Sequence, residues 1–337
     1  MAMGNSLASA AREDWMHAKH LVAAGLWCAA ILATPAADAA VTIETGLIGA
    51  ANSVEWPIYI GIHKGFFADA GVTLDVIYVP TAPGLVQQLA AGSLDICDIG
   101  VVEPIHAVAR GAAVAILRIS GAVSPYEVLA KPSINSIQDL KGHTVVIGGL
   151  VDINRVYLER MLKAAGLTDK DIDITVVGNT AGRFAALKSG SADATMLAPP
   201  VNFFAEEAGF RNIGMLIDYT KDLPFGSTNV SLAFAKSHHD AVMSFEQALN
   251  KSIAWFNDDA NKDAAVDILA AEMKTTNRDD VVKSYDYLRK IGFFRNDDTI
   301  SRKSLETLMD EMTAIGDTQG RVPMDKLLLP GVSHVGE

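Results

Sequence analysis

Short runs of β-branched residues alternate with segments of helical period from Val41 onward, and this alternation restricts the possible folds more than any other feature. A first series predicts strands at 41–47, 73–79, 95–101 and 114–120, with helices at 56–68, 85–91 and 104–110. A second series, after Ser124-Pro125, predicts a capped helical turn at 136–142, strands at 144–149, 173–178 and 192–198, and helices at 151–165 and 183–189. Alternation of this kind is typical of mostly parallel sheets with helices on both faces. Two series therefore predict two α/β lobes.

The C-terminal third of the chain has a different pattern. From Asp240 onward, apolar residues recur at three- and four-residue spacing with charged residues between them, as in packing helices. We predict these helices at 242–256, 262–273, 279–291 and 301–315. In the two α/β series, Gly92-Ser93-Leu94-Asp95 and Gly190-Ser191-Ala192-Asp193 each stand between a helix and a strand. This similarity predicts that both lobes are built on one plan.

Composition excludes several classes of protein. Half of the 337 residues are hydrophobic, which is ample for a buried core, and the net charge is −12. A surface this acidic repels phosphate backbones, so we expect no nucleic acid partner. Two cysteines cannot build a disulfide framework or a cysteine-based zinc site. Since no dinucleotide or Walker A motif is present, we expect neither a cofactor nor a resident metal.

The N-terminal residues predict an export signal. Leu21–Ala33 is a 13-residue apolar run after Lys19 and His20, too short for a spanning helix, which needs about 20 residues. Ala37-Asp38-Ala39 then fits the small-residue rule for cleavage, so we predict a signal peptide over residues 1–39. Arg12, Glu13 and Asp14 give it a long start of mixed charge, whereas initiation at Met16 would give a more typical basic one. We leave both starts open.

Four segments together resemble a known family. Pro57, Tyr59 and Gly65-Phe66-Phe67 match the opening motif of the ABC-importer binding proteins for nitrate, taurine, alkanesulfonates and thiamine pyrimidine precursors. The other matches are Leu89–Asp95 with Gly100, Ser136–Val145, and Ala185–Ala194. Each match is weak alone, but the four agree in order and spacing from about residue 41 to residue 230.

The resemblance implies a two-lobed type II periplasmic-binding fold, with a hinge of two crossover strands and a helical C-terminal region. It places lobe I at residues 40–121 plus 226–337 and lobe II at 122–225, with crossovers near 120–126 and 221–229. It further implies a periplasmic protein, which we expect to be a monomer. Such a protein captures a small molecule by hinge closure and delivers it to an ABC permease in the inner membrane.

The resemblance also places the ligand among the loops that follow the strands, as expected for open α/β sheets. These loops supply the predicted ligand-binding residues, which are Asn52, Ser53, Trp56, Thr81, Glu103, Gly149, Asp152, Asn154, Asn179, Arg183, Pro199 and Asn229. Several have a structural alternative. Asn52 and Ser53 fit turn or cap chemistry, Trp56 fits a core position as well as an aromatic wall, and Asn229 fits a turn cap at the return crossover.

Charged residues in these loops bear on the nature of the ligand. Sulfonate-binding relatives usually carry small hydroxyl residues where this chain has Val151, Asp152 and Ile153. Asp152 would compete with an anion for the helix N-terminus, and Glu103 would add a second repulsion, unless it serves only the helix dipole. Arg183 fits either a ligand carboxylate or an ion pair within the protein. The residues favour a heteroaromatic or a small aromatic acid over nitrate or a simple sulfonate.

The alternative class is a cofactor-free enzyme of the same fold. Some metabolic enzymes resemble the family, but the clustered-cysteine motif of the pyrimidine-forming enzyme is absent here, and no nucleophile has an evident base. His238-His239-Asp240 is the one cluster that would suit catalysis or metal binding, and adjacent helical histidines point about 100° apart. We therefore predict a binding protein and not an enzyme. A role in sensing rather than import stays open.

Overall fold

The structure is a computed structural model that describes residues 40–336. The predicted signal peptide and the alternative start at Met16 lie outside the described residues. The strands are β1 (Val41–Ile48), β2 (Val72–Val79), β3 (Ile96–Gly100), β4 (Val114–Gly121), β5 (Glu127–Ala130), β6 (Thr144–Ile147), β7 (Asp173–Val176), β8 (Ala194–Leu197), β9 (Arg211–Met215), β10 (Gly226–Ser231), β11 (Thr299–Ser301) and β12 (His334–Gly336).

The predicted helices are all present, one of them divided in two, and four short helices after residue 200 were not predicted. The helices are α1 (Trp56–His63), α2 (Phe66–Asp69), α3 (Ala82–Ala91), α4 (Val102–Ala109), α5 (Ile153–Ala164), α6 (Thr180–Ser189), α7 (Val201–Glu207), α8 (Ile217–Thr220), α9 (Leu232–Ser237), α10 (His239–Phe256), α11 (Lys262–Glu272), α12 (Arg278–Ile291), α13 (Arg302–Ala314) and α14 (Met324–Leu327). In this part of the chain, no helix combines the length and apolarity that crossing a membrane requires.

Two five-stranded sheets of the same plan form the frame of the molecule. Their strand orders are β2-β1-β3-β10-β4 and β7-β6-β8-β5-β9. In each sheet four strands run in one direction, and the fifth, β10 or β5, is antiparallel to both of its neighbours. The predicted mostly parallel sheets are therefore confirmed, with one addition. In each sheet, the antiparallel strand is the first one that the chain forms after it crosses from the other sheet.

The repeated Gly-Ser-x-Asp segments have the same role in both sheets. Asp95 Oδ2 accepts a hydrogen bond from Glu44 N–H at 2.9 Å, and Asp193 Oδ2 accepts one from Thr144 N–H at 2.9 Å. Each aspartate also donates its own N–H to the carbonyl of the same partner residue. Both motifs thus fix the start of the strand in third position, β3 or β8, to its neighbour in second position, β1 or β6.

The connections between the sheets are short. The chain leaves β4 at Gly121 and enters β5 at Glu127, and it returns between Thr220 and Gly226. The predicted return crossover at 221–229 was too long, because residues 226–229 already belong to β10. Tyr126 and Phe225, one on each connection, lie edge to face with ring centroids 5.4 Å apart. The lobe boundaries at 121/122 and 225/226 stay a prediction.

The predicted helix over residues 56–68 is divided in two. Gly65 adopts a left-handed backbone (φ 72°) between α1 and α2, which ends the first helix and turns the chain. α2 then folds back so that Phe67 lies against α1. A methyl group on Gly61 would lie 2.3 Å from the Phe67 ring, so this approach requires glycine at position 61.

The C-terminal helices complete the cores. α10, α11 and α12 pack with α1 in one apolar cluster, in which the rings of Phe256 and Tyr285 lie 4.8 Å apart. α13 packs in the same cluster as α5 and the second sheet, and it contributes Leu305, Leu308, Met309 and Met312. The final residues return to the first sheet, where Leu329 N–H donates to Ile116 O at 3.1 Å.

Candidate functional site

The carboxyl ends of the parallel strands bring loops of the two sheets together. Ser53, in the turn before α1, is fully buried, and its hydroxyl donates to Pro199 O, after β8, at 2.6 Å. A methyl group on Gly100, at the end of β3, would lie 3.5 Å from the side chain of Ile153, the first residue of α5. The predicted loops of the two sheets therefore meet in space, as the positions of the strand ends require.

The loop between β6 and α5 carries the most polar part of the site. Asp152 is the N-cap of α5, and its Oδ1 accepts from Asn154 N–H at 2.9 Å and Arg155 N–H at 3.3 Å. The Asn154 amide donates to Asp152 Oδ2 at 3.3 Å, which leaves its buried Oδ1 without a hydrogen-bond partner in the described chain. Because Asp152 already occupies the helix N-terminus, these N–H groups are not open to an anionic ligand.

Gly148 is the point on which this cluster converges. A methyl group there would lie 2.5 Å from Asp152 Oδ2, 2.9 Å from Asn154 Nδ2 and 3.3 Å from Arg183 Nη1. The three polar side chains come this close to the backbone only because position 148 has no side chain. Gly149, a predicted ligand residue, lies beside the same carboxylate, with Oδ2 at 3.1 Å from an equivalent methyl position.

Arg183 is buried beside Asp152. Its Nε donates to Met196 O at 3.1 Å and its Nη2 to Thr180 Oγ1 at 3.1 Å, and the guanidinium lies 5.6 Å from the Tyr126 ring centroid. Its charge acts on the Asp152 carboxylate, whose pKa it lowers, so a charge interaction within the protein and a contact with a ligand carboxylate both stay open.

Glu103 faces this cluster from the other sheet. It lies in the first turn of α4, and a methyl group on Gly100 would lie 2.7 Å from its Oε2. That oxygen is buried and has no hydrogen-bond partner among the described residues. Burial raises the pKa of Glu103 well above its ordinary value, and the charge of Asp152 raises it further.

Asp152 titrates differently. Burial raises the pKa of Asp152 to about 6, although the charge of Arg183 acts to lower it. Glu103 therefore keeps its proton to a higher pH than an ordinary glutamate, while Asp152 titrates with a pKa of about 6 beside the positive Arg183. The site thus combines two carboxyl groups of raised pKa, one guanidinium and one free amide oxygen.

Two predicted ligand residues lie elsewhere. Trp56 is fully buried between α1 and the C-terminal helices, where its Nε1 donates to Ala265 O at 2.9 Å. It is a core residue and does not form a wall of the cleft. Asn229 lies in the middle of β10, not at a crossover, and its amide donates to Ser227 O at 2.8 Å. Its side chain completes a central strand, so the turn-cap alternative was also wrong.

Three other predicted residues have a capping role. Asn52, Thr81 and Asn179 each precede a helix or helical turn and accept a backbone N–H, from Val54 at 3.0 Å, Gly84 at 3.3 Å and Gly182 at 2.8 Å. All three positions lie on strand-end loops of the site, and Thr81 and Asn179 are exposed. Capping does not prevent a ligand contact, and their role in binding stays a prediction.

His238-His239-Asp240 lies at the start of α10 on the surface. His238 stacks on Phe234 with ring centroids 4.8 Å apart, and His239 Nδ1 is 3.6 Å from Asp240 Oδ1. The described residues contain no group of three or more His, Cys, Asp or Glu side chains placed to hold a metal ion.

The sequence did not reveal a second buried polar cluster, close to the first site. Glu55 Oε2 and Arg118 Nε are buried without hydrogen-bond partners in residues 40–336, and the two side chains line a cavity of about 20 Å³ beneath α1, together with Asp98 and Ser120. Burial raises the pKa of Glu55 well above its ordinary value, and Asp98 raises it further. A signal was present, because Asp98 interrupts the apolar run of β3.

Two sheets of identical strand order, joined by two short connections and with polar loops meeting between them, define the fold of a solute-binding protein. The chain belongs to the NMT1/THI5 like family, whose model matches residues 52–262. This finding confirms the family that the four sequence segments indicated.

Comparison with individual proteins agrees with this assignment. The chain is 26% identical over 251 residues to the formylaminopyrimidine-binding protein of Halalkalibacterium halodurans, covering 71% of this chain and 73% of that protein. The ligand binding component of an ABC-type import system from Staphylococcus aureus superposes with a TM-score of 0.74 at 14% identity, over 87% of this chain and 98% of that one. The periplasmic aliphatic sulphonate binding protein SsuA from Escherichia coli gives a TM-score of 0.69 at 17% identity, over 87% and 99%. The two structures show the periplasmic-binding fold.

Proposed function

We propose that this chain is the exported substrate-binding component of an ABC-type importer, which captures a small heteroaromatic molecule between its lobes and delivers it to the permease. The family and the fold support the binding role. The apolar run and small-residue exit at the N-terminus support export to the periplasm. We expect a monomer that leaves its ligand chemically unchanged.

The proposed ligand class follows from the unpaired hydrogen-bonding groups of the site. Two buried oxygens of the site, Glu103 Oε2 and Asn154 Oδ1, have no hydrogen-bond partner among the described residues. A buried acceptor left unpaired costs about 1–3 kcal/mol, so a ligand that donates hydrogen bonds gains by pairing them. A neutral carboxylic acid can also donate to a ring nitrogen while it accepts from an adjacent amino group. An amino-substituted heterocycle has this pattern.

Anionic ligands fit this site poorly. Asp152 already caps α5 and accepts the N–H groups that a sulfonate or nitrate would need. A small aromatic acid would have to pair with Arg183 alone, while Asp152 repels its carboxylate. The similarity to a formylaminopyrimidine-binding protein supports the heterocycle independently.

Differential scanning fluorimetry of the purified protein tests this function. We expect aminopyrimidines to raise the melting temperature, and taurine, nitrate and benzoate to leave it unchanged. Stabilisation by taurine or nitrate alone would contradict the proposed ligand class. Mass spectrometry of the stabilising compound after incubation separates binding from catalysis, since a chemically altered product would favour the enzyme of the same fold.

Two glycine variants link the binding to this site. Gly148→Ala places a methyl group 2.5 Å from Asp152 Oδ2 and pushes the polar cluster apart, so we expect it to abolish ligand stabilisation and to lower stability by about 1–3 kcal/mol. Gly178→Ala is the matched control on the next loop, where the nearest atom is 4.0 Å away. It should bind as the parent protein does. Equal behaviour of the two variants would place the ligand elsewhere.

A further inference from the structure

The second buried cluster lies where both interlobe connections join the first sheet. Asp98, in β3, accepts a hydrogen bond from Ser120 Oγ on Oδ1 at 2.8 Å and from Thr228 Oγ1 on Oδ2 at 2.7 Å. Ser120 lies one residue before β4 ends, and Thr228 lies in β10 just after the chain has returned. β3 itself takes no part in either connection. The carboxylate of Asp98, on β3, therefore accepts hydrogen bonds from both connecting strands, β4 and β10.

The pairing of these strands is irregular at this place. Gly226 pairs with Gly121 but Ser227 pairs with Ile119, so Ser120 is an extra residue in β4. A second irregularity follows between Thr228 and Asn229. A bulge interrupts the backbone ladder and increases the local twist. The ladder alone thus holds the strand end weakly, and the hydrogen bond from Ser120 to Asp98 replaces a part of it.

Charged groups from each neighbouring element surround this carboxylate. Glu55 faces it from the turn before α1, Arg118 from β4, and Glu246 from α10. Arg118 is itself held by Asn250 Oδ1 at 2.6 Å and by Glu246 Oε2 at 3.5 Å. Burial raises the pKa of Asp98 to about 7, although hydrogen bonds from Thr228 and Ser120 act to lower it. In both protonation states each carboxyl oxygen can still pair with one hydroxyl.

We propose that Asp98 is a positioning residue of the hinge, whose carboxylate fixes the ends of both connecting strands and so sets the orientation in which the two lobes meet. This inference rests on the proposed function, because it assumes that ligand capture depends on how the lobes close. It assigns Asp98 no contact with the ligand.

The test measures the distance between the lobes without ligand. Spin labels at Asp75→Cys on β2 and Thr175→Cys on β7, both exposed, report this distance by double electron–electron resonance in a Cys28→Ser background. Cys97 is fully buried, and burial raises the pKa of its thiol, so it stays unlabelled. Asp98→Ala should widen the distance distribution about twofold, since the bulged strand end is released.

Three further variants decide the interpretation. Asp98→Asn retains one acceptor and one donor for the two hydroxyls and should restore the parent width. Ser120→Ala removes one of the two hydrogen bonds to Asp98 and should give a distance distribution of intermediate width. It replaces Asp98→Ala in the test if Asp98→Ala does not fold. Asp95→Ala removes a carboxylate that fixes β1 to β3 but touches neither connecting strand, so the width should not change.

Equal widths for Asp98→Ala and Asp95→Ala would overturn the proposal, as would an Asp98→Asn distribution as broad as that of Asp98→Ala. If Ser120→Ala is the only variant that folds, a distance distribution as narrow as that of the parent protein would also overturn the proposal. Because these distances need no ligand, they are independent of the fluorimetric screen. A failed screen with the expected widths would leave the hinge role in place and contradict only the ligand class.

Discussion

Glu103 and Asp152 are close enough to influence each other, yet the chain gives them very different partners. Asp152 has two backbone N–H groups, an amide and the charge of Arg183, whereas Glu103 Oε2 has no partner in the described chain. Ionisation is therefore tolerated at Asp152 and costly at Glu103. The asymmetry makes Glu103 the group that can donate a proton to a hydrogen bond with the ligand.

Glu103→Gln tests this protonation state through stability. Because the pKa of Glu103 is raised by burial above its ordinary 4.5, the folded protein binds the proton more tightly than the unfolded chain. The parent protein therefore loses stability as the pH rises above about 4.5. The Glu103→Gln variant does not lose stability in this way, so its melting temperature should rise relative to that of the parent protein between about pH 5 and pH 8.

Glu206→Gln provides the control, since Glu206 is exposed on α7. The melting temperatures of this variant and the parent protein should run parallel over the same pH range. A constant difference between Glu103→Gln and the parent would mean that Glu103 is ionised in the folded protein.

The sequence could identify loop residues better than side-chain directions. The strand-end loops and the family resemblance together predicted Ser53, Glu103, Asp152, Asn154, Arg183 and Pro199, and the structure places these residues at neighbouring loops and helix starts. For Trp56 the sequence left an aromatic wall and a core position open, because the direction of its side chain from the helix start cannot be read from the local sequence. Its direction depends on α10, α11 and α12, which are two hundred residues away.

β10 shows where element prediction from sequence ends. Its residues, GSTNVS, are small and polar and resemble a turn, yet all six are buried in a central strand. Polar side chains of this strand form hydrogen bonds with residues that are distant in sequence. Thr228 donates to Asp98, and Asn229 donates to Cys97 O. β5, whose four residues are all buried, was also missed.

The equivalent aspartates of the two sheets allow a prediction about these elements. Asp193 accepts from Thr144 N–H as Asp95 does from Glu44 N–H, but it also receives Lys131 Nζ at 2.5 Å and His143 Nδ1 at 3.1 Å. Although partial burial opposes it, these hydrogen bonds lower the pKa of Asp193 to about 2. A lowered pKa stabilises the folded state above the unfolded pKa, and the gain is lost as the pH falls towards the folded one.

Asp193→Asn should therefore reduce the melting temperature near neutral pH, and calorimetry should show the gap closing as the pH falls from about 4 towards 2. Since Lys131 is partly exposed, the ion-pair contribution is about 0.5–1 kcal/mol. Asp95→Asn keeps an oxygen that accepts from Glu44 N–H, so it should reduce the stability less than Asp193→Asn does. A pH-independent loss for Asp193→Asn would mean that its charge has no part in stability.

Three polar contacts between the two sheet-based units bear on closure. Ser53 and Pro199 form a buried hydrogen bond at the site, Lys283 on α12 pairs with Glu207 on α7 at 2.9 Å on the surface, and Arg160 on α5 lies 3.4 Å from Glu311 on α13. Exposed pairs contribute little, because water and salt screen them. Among these three polar contacts, the buried Ser53 bond therefore has the largest expected effect on closure.

Ser53→Ala should weaken ligand binding because it removes the hydrogen bond from the Ser53 hydroxyl to Pro199 O, which joins loops of the two sheets. Loss of one buried hydrogen bond costs about 1 kcal/mol, which corresponds to about fivefold in the dissociation constant if the bond forms only when the lobes meet. Titration calorimetry with the heterocycle selected by the thermal screen measures this change directly.

Ser252→Ala provides the matched variant. Ser252 is equally buried, and its hydroxyl donates to Ala248 O within α10 at 2.8 Å, far from the meeting loops. Both variants lose one buried hydrogen bond and should lose similar stability, but only Ser53→Ala should change the affinity. Equal affinities in the two variants would mean that the Ser53 bond stabilises the fold as a whole and has no specific part in closing the lobes.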